Sequence, residues 1–339
     1  MKRFATVLIG SGRIGARLTE DVIHKSRYPY PTHADVLSTH PSFEFEAVVD
    51  TNFEAREFAR DKWKLKEAVS SISELTTKET IEVAVLATGG AFRPDLGNYF
   101  PNLKVVLVEK PLAADFQLAK AFVERLDDLG IGVVVNFPRR YGSVFRRLAE
   151  GELENEIGRP CAVFGVYGNG LKNNGSHLVD LIRTQIGEIE SVRALTEWNK
   201  CLFENNDNDP TIPFYCRTIG DVGVVVNILS FDNYREVGLD VWGTKGRLQM
   251  LNETLTFVWS KTIPSNQLSG AREIDFGKSH LEVREQDKSL FDVYERVALL
   301  ATKSIPGEDG REGLVTTKAI ESIVKSAKNG CVSINPLDP

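Results

Sequence analysis

A glycine-rich turn near the N-terminus is the first feature of this sequence that could do chemistry. The turn joins an apolar segment, Phe4–Ile9, to a predicted helix at residues 14–23, and it comprises Gly10, Ser11, Gly12, Arg13, Ile14 and Gly15. In such a strand–turn–helix unit Gly10 permits the tight turn, Gly12 lets the backbone approach a ligand, and Gly15 lets the helix pack closely on the sheet. Free N–H groups at the start of the helix attract an anion. The turn therefore predicts a site for the diphosphate of a dinucleotide, although a plain strand–turn–helix junction is the alternative.

An acidic residue, Asp50, ends the next apolar segment at residues 45–49. A carboxylate in that place accepts hydrogen bonds from both ribose hydroxyls of NAD and repels the 2′-phosphate of NADP. No arginine stands at Thr51 or Asn52. We therefore expect NAD as the cofactor and NADP to be disfavoured, with Asp50 and Thr51 among the cofactor contacts.

An insertion separates the glycine turn from Asp50. The usual spacing between the last glycine and the acidic residue is about 20 residues, and the spacing in this chain is longer. Residues 24–41 account for the excess, and they contain Pro29, Pro31 and Pro41. Since proline interrupts helices, we predict a surface loop with one short helix at residues 34–38.

A lysine follows another strand-like segment, Val105–Val108, within the run Glu109-Lys110-Pro111. Ligands of open α/β sheets bind at the carboxyl ends of the strands. A lysine at that edge, near a cationic nicotinamide, would hold a substrate hydroxyl, while a surface lysine before a helix is the alternative. We expect further cofactor contacts from residues that follow strand ends, namely Thr88, Gly89, Glu109, Lys110 and Asn136.

Four short motifs follow one another along the chain. They are Glu109-Lys110-Pro111, Asn136-Phe137-Pro138-Arg139-Arg140-Tyr141, Asn173-Asn174-Gly175-Ser176-His177-Leu178-Val179-Asp180 and Gly243-Thr244-Lys245-Gly246. Together they resemble the Gfo/Idh/MocA oxidoreductase family, and the resemblance covers nearly the whole chain. It implies an N-terminal Rossmann domain and a C-terminal domain whose large, mostly antiparallel sheet forms homodimers or homotetramers. It also implies oxidation or reduction of a secondary alcohol of a sugar, a cyclitol or a nucleotide sugar.

The resemblance assigns roles to three polar residues. Lys110 matches the catalytic lysine of the family, His177 its catalytic histidine, and Asp180 a further acidic position on the same helix. This agrees with the chemistry of alcohol oxidation, in which a histidine accepts the hydroxyl proton and a lysine stabilises the developing alkoxide. For His177 the alternative is a histidine that only packs at the start of a helix.

Asn173 departs from the family pattern, in which many members have aspartate four residues before the histidine. An amide can hydrogen-bond a substrate, but it cannot stabilise the charge of an imidazolium. Positions 173, 177 and 180 have helical spacing and would share one face. We expect these residues to line a substrate pocket with Lys110, Arg139, Tyr167, Asn169 and Lys172, although an ordinary surface position is the alternative for several of them.

The elements that must position these residues change character near residue 137. Residues 1–136 alternate apolar, β-branched segments with amphipathic helices, which is typical of a doubly wound, mostly parallel sheet. Later strand-like segments follow one another and often alternate in polarity, as in antiparallel sheets. We therefore predict an α/β Rossmann domain at residues 1–136 and an α+β domain with a large open, mostly antiparallel sheet at residues 137–339. Its final helix, at residues 313–329, can pack back on the first domain.

Composition excludes several other classes of protein. The 339 residues are 42% hydrophobic and 26% charged, which suits a globular protein of two domains. The net charge of -6 argues against a nucleic-acid partner. The sequence has no apolar run of membrane-spanning length, no cleavable signal pattern and no metal-type cysteine spacing. We expect a cytoplasmic protein with a carbohydrate or nucleotide-sugar substrate, no metal and no membrane partner.

Three functions remain open from the sequence. The leading one is an NAD-dependent oxidoreductase that transfers hydride between a secondary carbinol carbon and C4 of nicotinamide. The second is a glycosidase that oxidises its substrate transiently, eliminates and returns the hydride, and tightly retained NAD without net turnover would identify it. The third is a non-enzymatic regulator that binds a dinucleotide on the same fold.

Overall fold

A computed structural model of the chain describes residues 2–204, 208–303 and 309–338. These residues form two compact units, one of Met1–Gly142 with Gln286–Thr317 and the other of Ser143–Glu285 with Lys318–Pro339. The division differs from the expected boundary at residue 137, because residues 286–317 belong to the first unit. Buried side chains of Val293 and Tyr294 join the same apolar cluster as the first strand, which explains why the chain returns to this unit.

Strands and helices alternate in the first part of the chain, whereas strands predominate after residue 186 until two long helices close it. The strands are β1 Phe4–Ile9, β2 Phe43–Val49, β3 Glu67–Val69, β4 Val83–Leu86, β5 Val105–Val108, β6 Gly132–Val135, β7 Pro160–Tyr167, β8 Ile189–Ala194, β9 Phe214–Thr218, β10 Gly223–Ile228, β11 Gly238–Gly243, β12 Gly246–Leu251, β13 Thr256–Pro264, β14 Arg272–Ile274 and β15 His280–Val283. The α-helices are α1 Val22–Arg27, α2 His33–Thr39, α3 Phe53–Trp63, α4 Leu96–Tyr99, α5 Phe116–Asp128, α6 Pro138–Tyr141, α7 Ser143–Arg147, α8 Leu153–Ile157, α9 Ser176–Gln185, α10 Ser289–Lys303 and α11 Asp309–Lys328. None of the helices in the described ranges is long and apolar enough to cross a membrane.

The first unit contains a six-stranded parallel sheet in the order β3–β2–β1–β4–β5–β6. Alternate residues of β1 point to opposite faces, so that Val7 joins one buried cluster and Leu8 the other. Burial on both faces explains why these strands are almost continuously apolar. The sheet confirms the predicted α/β Rossmann architecture, while β3 escaped prediction because it has only three residues.

The helix predicted at residues 14–23 does not form as one element. A 3₁₀ turn spans Arg17–Glu20, and the short helix α1 follows it. The carbonyl oxygens of Ile14 and Gly15 accept hydrogen bonds from the backbone nitrogens of His33 and Ala34, each at 3.0 Å. These carbonyls are thereby used by the start of α2 instead of continuing a helix of their own.

The short helix predicted within the insertion is confirmed as α2, but it is not part of a surface loop. Residues His33, Ala34, Val36 and Leu37 are all fully buried. Ala34, Val36 and Leu37 pack in the cluster that also contains Leu8 from β1. The insertion therefore supplies a core helix of the first unit.

The second unit contains a nine-stranded, mostly antiparallel sheet in the order β14–β13–β12–β11–β7–β10–β9–β8, with β15 paired to β13. Strands β7 and β10 are parallel, and β11 and β12 form a hairpin across Gly243 and Gly246. One face of β7 is buried through Val163 and Tyr167, whereas Phe164 on the other face is half exposed. This mixed sheet confirms the predicted fold of the second half, although β9, β14 and β15 were not expected.

Candidate active site

The glycine turn after β1 has two glycines that the fold requires and one that it does not. Gly10 has a φ of +97°, and a Cβ added there would lie 2.6 Å from the carbonyl oxygen of Ala87. A Cβ on Gly15 would lie 2.1 Å from the carbonyl oxygen of Gly10. A Cβ on Gly12, in contrast, would meet no atom within 4 Å. Gly12 therefore leaves open space beside the turn, as a close-approaching phosphate requires.

Asp50 lies at the end of β2 and is hydrogen-bonded to the glycine turn. Its Oδ2 atom accepts from the backbone nitrogen of Ser11 at 2.6 Å and from the Ser11 hydroxyl at 3.0 Å, and its Oδ1 atom accepts from the backbone nitrogen of Asn52 at 2.8 Å. A carboxylate has about four acceptor positions. The geometry leaves capacity for one further donor such as a ribose hydroxyl, and a second hydroxyl would have to replace a Ser11 contact.

A cavity of about 480 Å³ opens at the carboxyl ends of β1, β2 and β4. Its lining includes residues that the sequence had suggested as cofactor contacts: Gly10, Asp50, Thr51 and Thr88. It also includes residues that the sequence did not suggest: Ser70, Ser71, Ile72, Phe92, Pro94 and Tyr99. The two serines directly follow β3, so recognising that short strand would have pointed to them.

The Thr88 hydroxyl fits a ligand in this cavity. It is buried, and within the described part of the chain it has no hydrogen-bond partner. An unsatisfied buried hydroxyl costs free energy, so native proteins rarely leave one without a reason. With the acceptor at Asp50 it makes the cavity suited to the nucleoside of NAD. The open space at Gly12, which does not line the cavity, is suited to the diphosphate.

Arg56 on α3 is a cation close to Asp50 that the sequence reasoning overlooked. Its Nη1 atom donates to the carbonyl oxygens of Asp50 and Thr51, each at 3.2 Å. The sequence argument rests on Thr51 and Asn52, the two positions directly after Asp50, whereas the first turn of α3 brings position 56 to the same place. Arg56 therefore places a cation beside Asp50 that is suited to binding a phosphate.

Lys110 lies partly exposed on the turn after β5, and the Glu109 side chain beside it is buried. Glu109 Oε2 accepts from the backbone nitrogen of Lys110 at 3.1 Å, and Oε1 lies 3.0 Å from Nε2 of His33. The side-chain nitrogen of Asn136 also donates to Oε1 of Glu109. His33 in turn contacts the Tyr294 hydroxyl at 2.8 Å. Side chains from four separate elements thus form a buried network that supports the Lys110 turn. His33 and Tyr294 lie far from Glu109 in the sequence, so no local sequence pattern points to their role.

The pKa of Glu109 is set by opposing effects. Burial alone would raise the pKa of this carboxyl, since a low dielectric disfavours the charged form. The hydrogen bond and charge of His33, the charge of Lys110 and the hydrogen bond from Asn136 all favour the carboxylate. Their sum lowers the pKa of Glu109 below its ordinary value. Glu109 is therefore an anion at neutral pH.

In the second unit a π-helical turn, Gly170–Gly175, leads into α9 and carries Lys172 and Asn173, two of the residues predicted to bind substrate. Asp209 organises this turn, because its carboxylate accepts from the backbone nitrogens of Lys172 at 2.7 Å and Asn173 at 2.9 Å. The side-chain nitrogen of Asn173 donates to the carbonyl oxygen of Asn169 at 3.1 Å. The turn brings Asn169, Lys172 and Asn173 together just before His177, which is partly exposed at the start of α9.

The other proposed substrate contacts differ in accessibility. The Asp180 carboxylate is buried, 3.9 Å from the guanidinium of Arg183, whereas Arg139 on α6 in the first unit is partly exposed. Tyr167 is fully buried, and its hydroxyl donates to the carbonyl oxygen of Ile212 at 2.8 Å and accepts from the Ile212 nitrogen at 2.9 Å. Burial raises the pKa of Tyr167 well above its ordinary value. We correct the expectation for Tyr167, since its hydroxyl is used within the core.

Comparison with known proteins agrees with this geometry. Residues 4–137 match the model of the Gfo/Idh/MocA group, described as an oxidoreductase family with an NAD-binding Rossmann fold. The chain is 28% identical over 226 residues to an inositol 2-dehydrogenase/D-chiro-inositol 3-dehydrogenase from Lacticaseibacillus casei. That match covers 62% of this chain and 65% of the relative, so it spans just under two thirds of that protein's length.

Solved structures of the same fold cover the whole chain. The WlbA dehydrogenase of Bordetella pertussis, solved with NADH and UDP-GlcNAcA, has a TM-score of 0.74 at 22% identity over 99% of this chain and 100% of that one. A super-repressor mutant of Gal80p from Saccharomyces cerevisiae has a TM-score of 0.76 at 16% identity over 99% of both chains. At these identities the likeness establishes the two-part fold.

Proposed function

We propose that the chain is a member of the Gfo/Idh/MocA oxidoreductase family, whose model matches residues 4–137, and that it is an NAD-dependent dehydrogenase acting on CH–OH groups. The proposed substrate is a secondary alcohol of a sugar, a cyclitol or a nucleotide sugar. The names of the inositol dehydrogenase and of WlbA with its bound nucleotide sugar support this range of substrates. They do not favour one member of the range over another.

The position of Lys110 carries the proposal. It directly follows Glu109 on the turn after β5, at the same sheet edge as the cavity formed by β1, β2 and β4. A cation held at that edge is suited to a substrate hydroxyl, because it stabilises the negative charge that develops on oxygen as hydride leaves the adjacent carbon. The hydrogen bonds of the buried Glu109 carboxylate hold the turn in place.

We assign proton transfer to one side chain and stabilisation of the developing negative charge to another. Bound NAD supplies the hydride acceptor at C4 of its nicotinamide ring. His177 accepts the hydroxyl proton in the oxidising direction and returns it in the reducing direction. Lys110 donates a hydrogen bond to a substrate hydroxyl and stabilises the alkoxide. The balanced reaction converts a secondary alcohol and NAD⁺ into a ketone, NADH and one proton.

A substrate panel tests this function. Sugars, sugar phosphates, cyclitols and nucleotide sugars are each incubated with NAD or NADP, and reduced cofactor is followed by absorbance. We expect a subset of one chemical class to respond with NAD. Lys110→Met and His177→Asn should each reduce kcat at least about 100-fold, the scale of a lost acid–base or charge-stabilising group. Lys120→Met, which changes an exposed lysine paired to Glu124 on α5, serves as the matched control and should retain activity.

The regulator remains the second candidate, and two observations favour it. Asn173 removes the acidic partner that many family members place before the histidine, and the Gal80p neighbour is itself named as a repressor. NAD binding without any response across the panel would support this function. Stably retained NAD with glycoside cleavage and no net NADH formation would instead support the redox-assisted glycosidase.

We also propose that the protein forms a homodimer or homotetramer through the sheet of the second unit. Phe164 on β7 has half of its side chain exposed, opposite the face that carries the buried Val163 and Gly165. An exposed aromatic residue on an uncovered sheet face is suited to association. Sedimentation of the wild type and of Phe164→Arg tests it, and a monomeric wild type at micromolar concentration would contradict the proposal.

A further inference from the structure

Arg93 is a largely buried cation whose hydrogen-bond partners are backbone carbonyl oxygens. It lies between β4 and α4. Its Nε atom donates to Leu112 at 2.5 Å, and its Nη2 atom donates to Pro111 at 2.9 Å and to Glu109 at 3.3 Å. Its Nη1 atom donates to Phe92 at 2.7 Å and to Gly89 at 3.2 Å. One guanidinium thus gathers carbonyl groups from two separate loops.

The two loops are those that the proposed reaction uses. The first, residues 88–93, follows β4 and contains Gly89 and the Thr88 hydroxyl, which finds no hydrogen-bond partner among the described residues. The second, residues 109–112, follows β5 and contains Lys110. Strands β4 and β5 are neighbours in the parallel sheet, so both loops leave the same edge side by side. Arg93 bridges them through hydrogen bonds to carbonyl oxygens of both loops.

The arrangement is energetically demanding. Burial lowers the pKa of Arg93 to about 10, and the negative charge of Glu109 opposes this shift. Removing a guanidinium from water costs free energy that neutral carbonyls repay only when the geometry is good. The planar fork of arginine reaches several carbonyls at once, whereas the single ammonium of lysine cannot reproduce that pattern. The arginine side chain is therefore suited to bridging the two loops.

We propose that Arg93 is a positioning residue that fixes the Lys110 turn against the Thr88–Gly89 loop, so that both are in place before NAD binds. This inference rests on the proposed function for the role of Lys110. The bridge itself stands on the five carbonyl contacts alone.

The test compares Arg93→Lys with a matched control, Arg3→Lys. Arg3 also donates to a backbone carbonyl, that of Phe43, at 2.9 and 2.6 Å, but beside the start of β1 and away from the carboxyl edge. Hydrogen–deuterium exchange without cofactor should accelerate in peptides covering residues 88–93 and 109–113 of Arg93→Lys. The Kd for NAD should rise about tenfold, and Arg3→Lys should change neither quantity.

Kinetics with a responding substrate provide a second readout. Misplacing Lys110 should lower kcat about tenfold or more, while the KM for the alcohol changes less than about threefold. Wild-type exchange in both loops of Arg93→Lys would overturn the inference. Accelerated exchange throughout the first unit would also overturn it, because Arg93 would then act on folding in general. If the loops and NAD affinity respond but no alcohol yields NADH, the inference stands and the dehydrogenase proposal fails.

Discussion

The Oδ2 atom of Asp50 accepts hydrogen bonds from both the backbone nitrogen and the hydroxyl of Ser11, at 2.6 and 3.0 Å. This contact joins the end of β2 to the glycine turn after β1, since Ser11 is fully buried and its nitrogen needs an acceptor. Asp50 is thus part of the turn as well as a candidate partner for ribose. A substitution at this position should affect folding stability and cofactor choice together.

Asp50→Ala should weaken NAD binding about 5- to 30-fold, the range for one or two kcal/mol of lost hydrogen bonding. The same change removes the charge that opposes a 2′-phosphate and leaves Arg56 beside it. Binding of NADP should therefore improve relative to NAD. Fluorescence titration with both cofactors measures the change in preference.

The double variant Asp50→Ala with Arg56→Ala is the control for this explanation. If Arg56 holds the 2′-phosphate, the gain in NADP binding should disappear when both residues are replaced. An unchanged preference for NAD in the single variant would show that another residue discriminates between the two cofactors.

Gly12 and Gly15, two of the three glycines of the turn, should respond in different ways to alanine. Gly12→Ala adds a methyl group to open space, so the melting temperature should stay near that of the wild type while NAD affinity falls more than about tenfold. Gly15→Ala forces a Cβ against the Gly10 carbonyl and should cost about 3 kcal/mol or more of unfolding free energy. Thermal melting with and without NAD separates the two effects. Equal destabilisation by both changes would contradict the assignment of Gly12 to the ligand.

Sequence periodicity captured the strongly patterned elements of this fold. Strands such as β1 and β5 are buried on both faces and are therefore continuously apolar, and Asp115 caps the helix α5 by accepting from the nitrogen of Leu118. Local patterns could not foresee that the carbonyls of Ile14 and Gly15 bond to the start of α2. That outcome depends on a tertiary contact of a buried helix, which no local signal at the glycine turn records.

Site residues could be predicted where the sequence signal lies in adjacent residues, and they could not where their role depends on contacts distant in the sequence. Lys110 was recognised because it directly follows a strand, and Asp50 because it ends one. His33 lies 76 residues before Glu109, which it contacts directly, and Tyr294, which contacts His33, lies 261 residues after His33. Arg93 was missed because its role consists of contacts to backbone carbonyls, which carry no sequence signature.

Thr88→Val should make the cofactor-free protein more stable and the cofactor bind more weakly. Valine has the shape of threonine but no hydroxyl, so it removes a buried polar group without a partner, worth about 1 kcal/mol or more. The melting temperature without NAD should rise, and the further increase caused by saturating NAD should become smaller. A lower melting temperature without NAD would mean that the hydroxyl has a stabilising role in the free protein.

Glu109 makes stability depend on pH in a defined direction. Its pKa in the folded protein lies below the ordinary value of 4.5, so its contribution is present above pH 4.5 and is lost as the pH falls below that value. As the pH falls below 4.5, the unfolding free energy of the wild type should decrease more steeply than that of Glu109→Gln. The two slopes should differ by at most about 1.4 kcal/mol per pH unit. Urea unfolding across this range measures both slopes. Glu124→Gln, which alters an exposed carboxylate on α5, should keep the wild-type slope.

Asn173→Asp should not convert the site to the pattern of other family members. The side-chain nitrogen of Asn173 donates to the carbonyl oxygen of Asn169, and the Asp209 carboxylate already binds the same turn. An aspartate would therefore face an acceptor and a like charge, at a cost of about 1–2 kcal/mol in unfolding free energy and with no gain in kcat. Asn174→Asp is the matched control, because its side-chain nitrogen donates to the Gly168 carbonyl at the same 3.1 Å. A rise in kcat for Asn173→Asp alone would show that position 173 accepts a carboxylate partner for His177 without rearranging the turn.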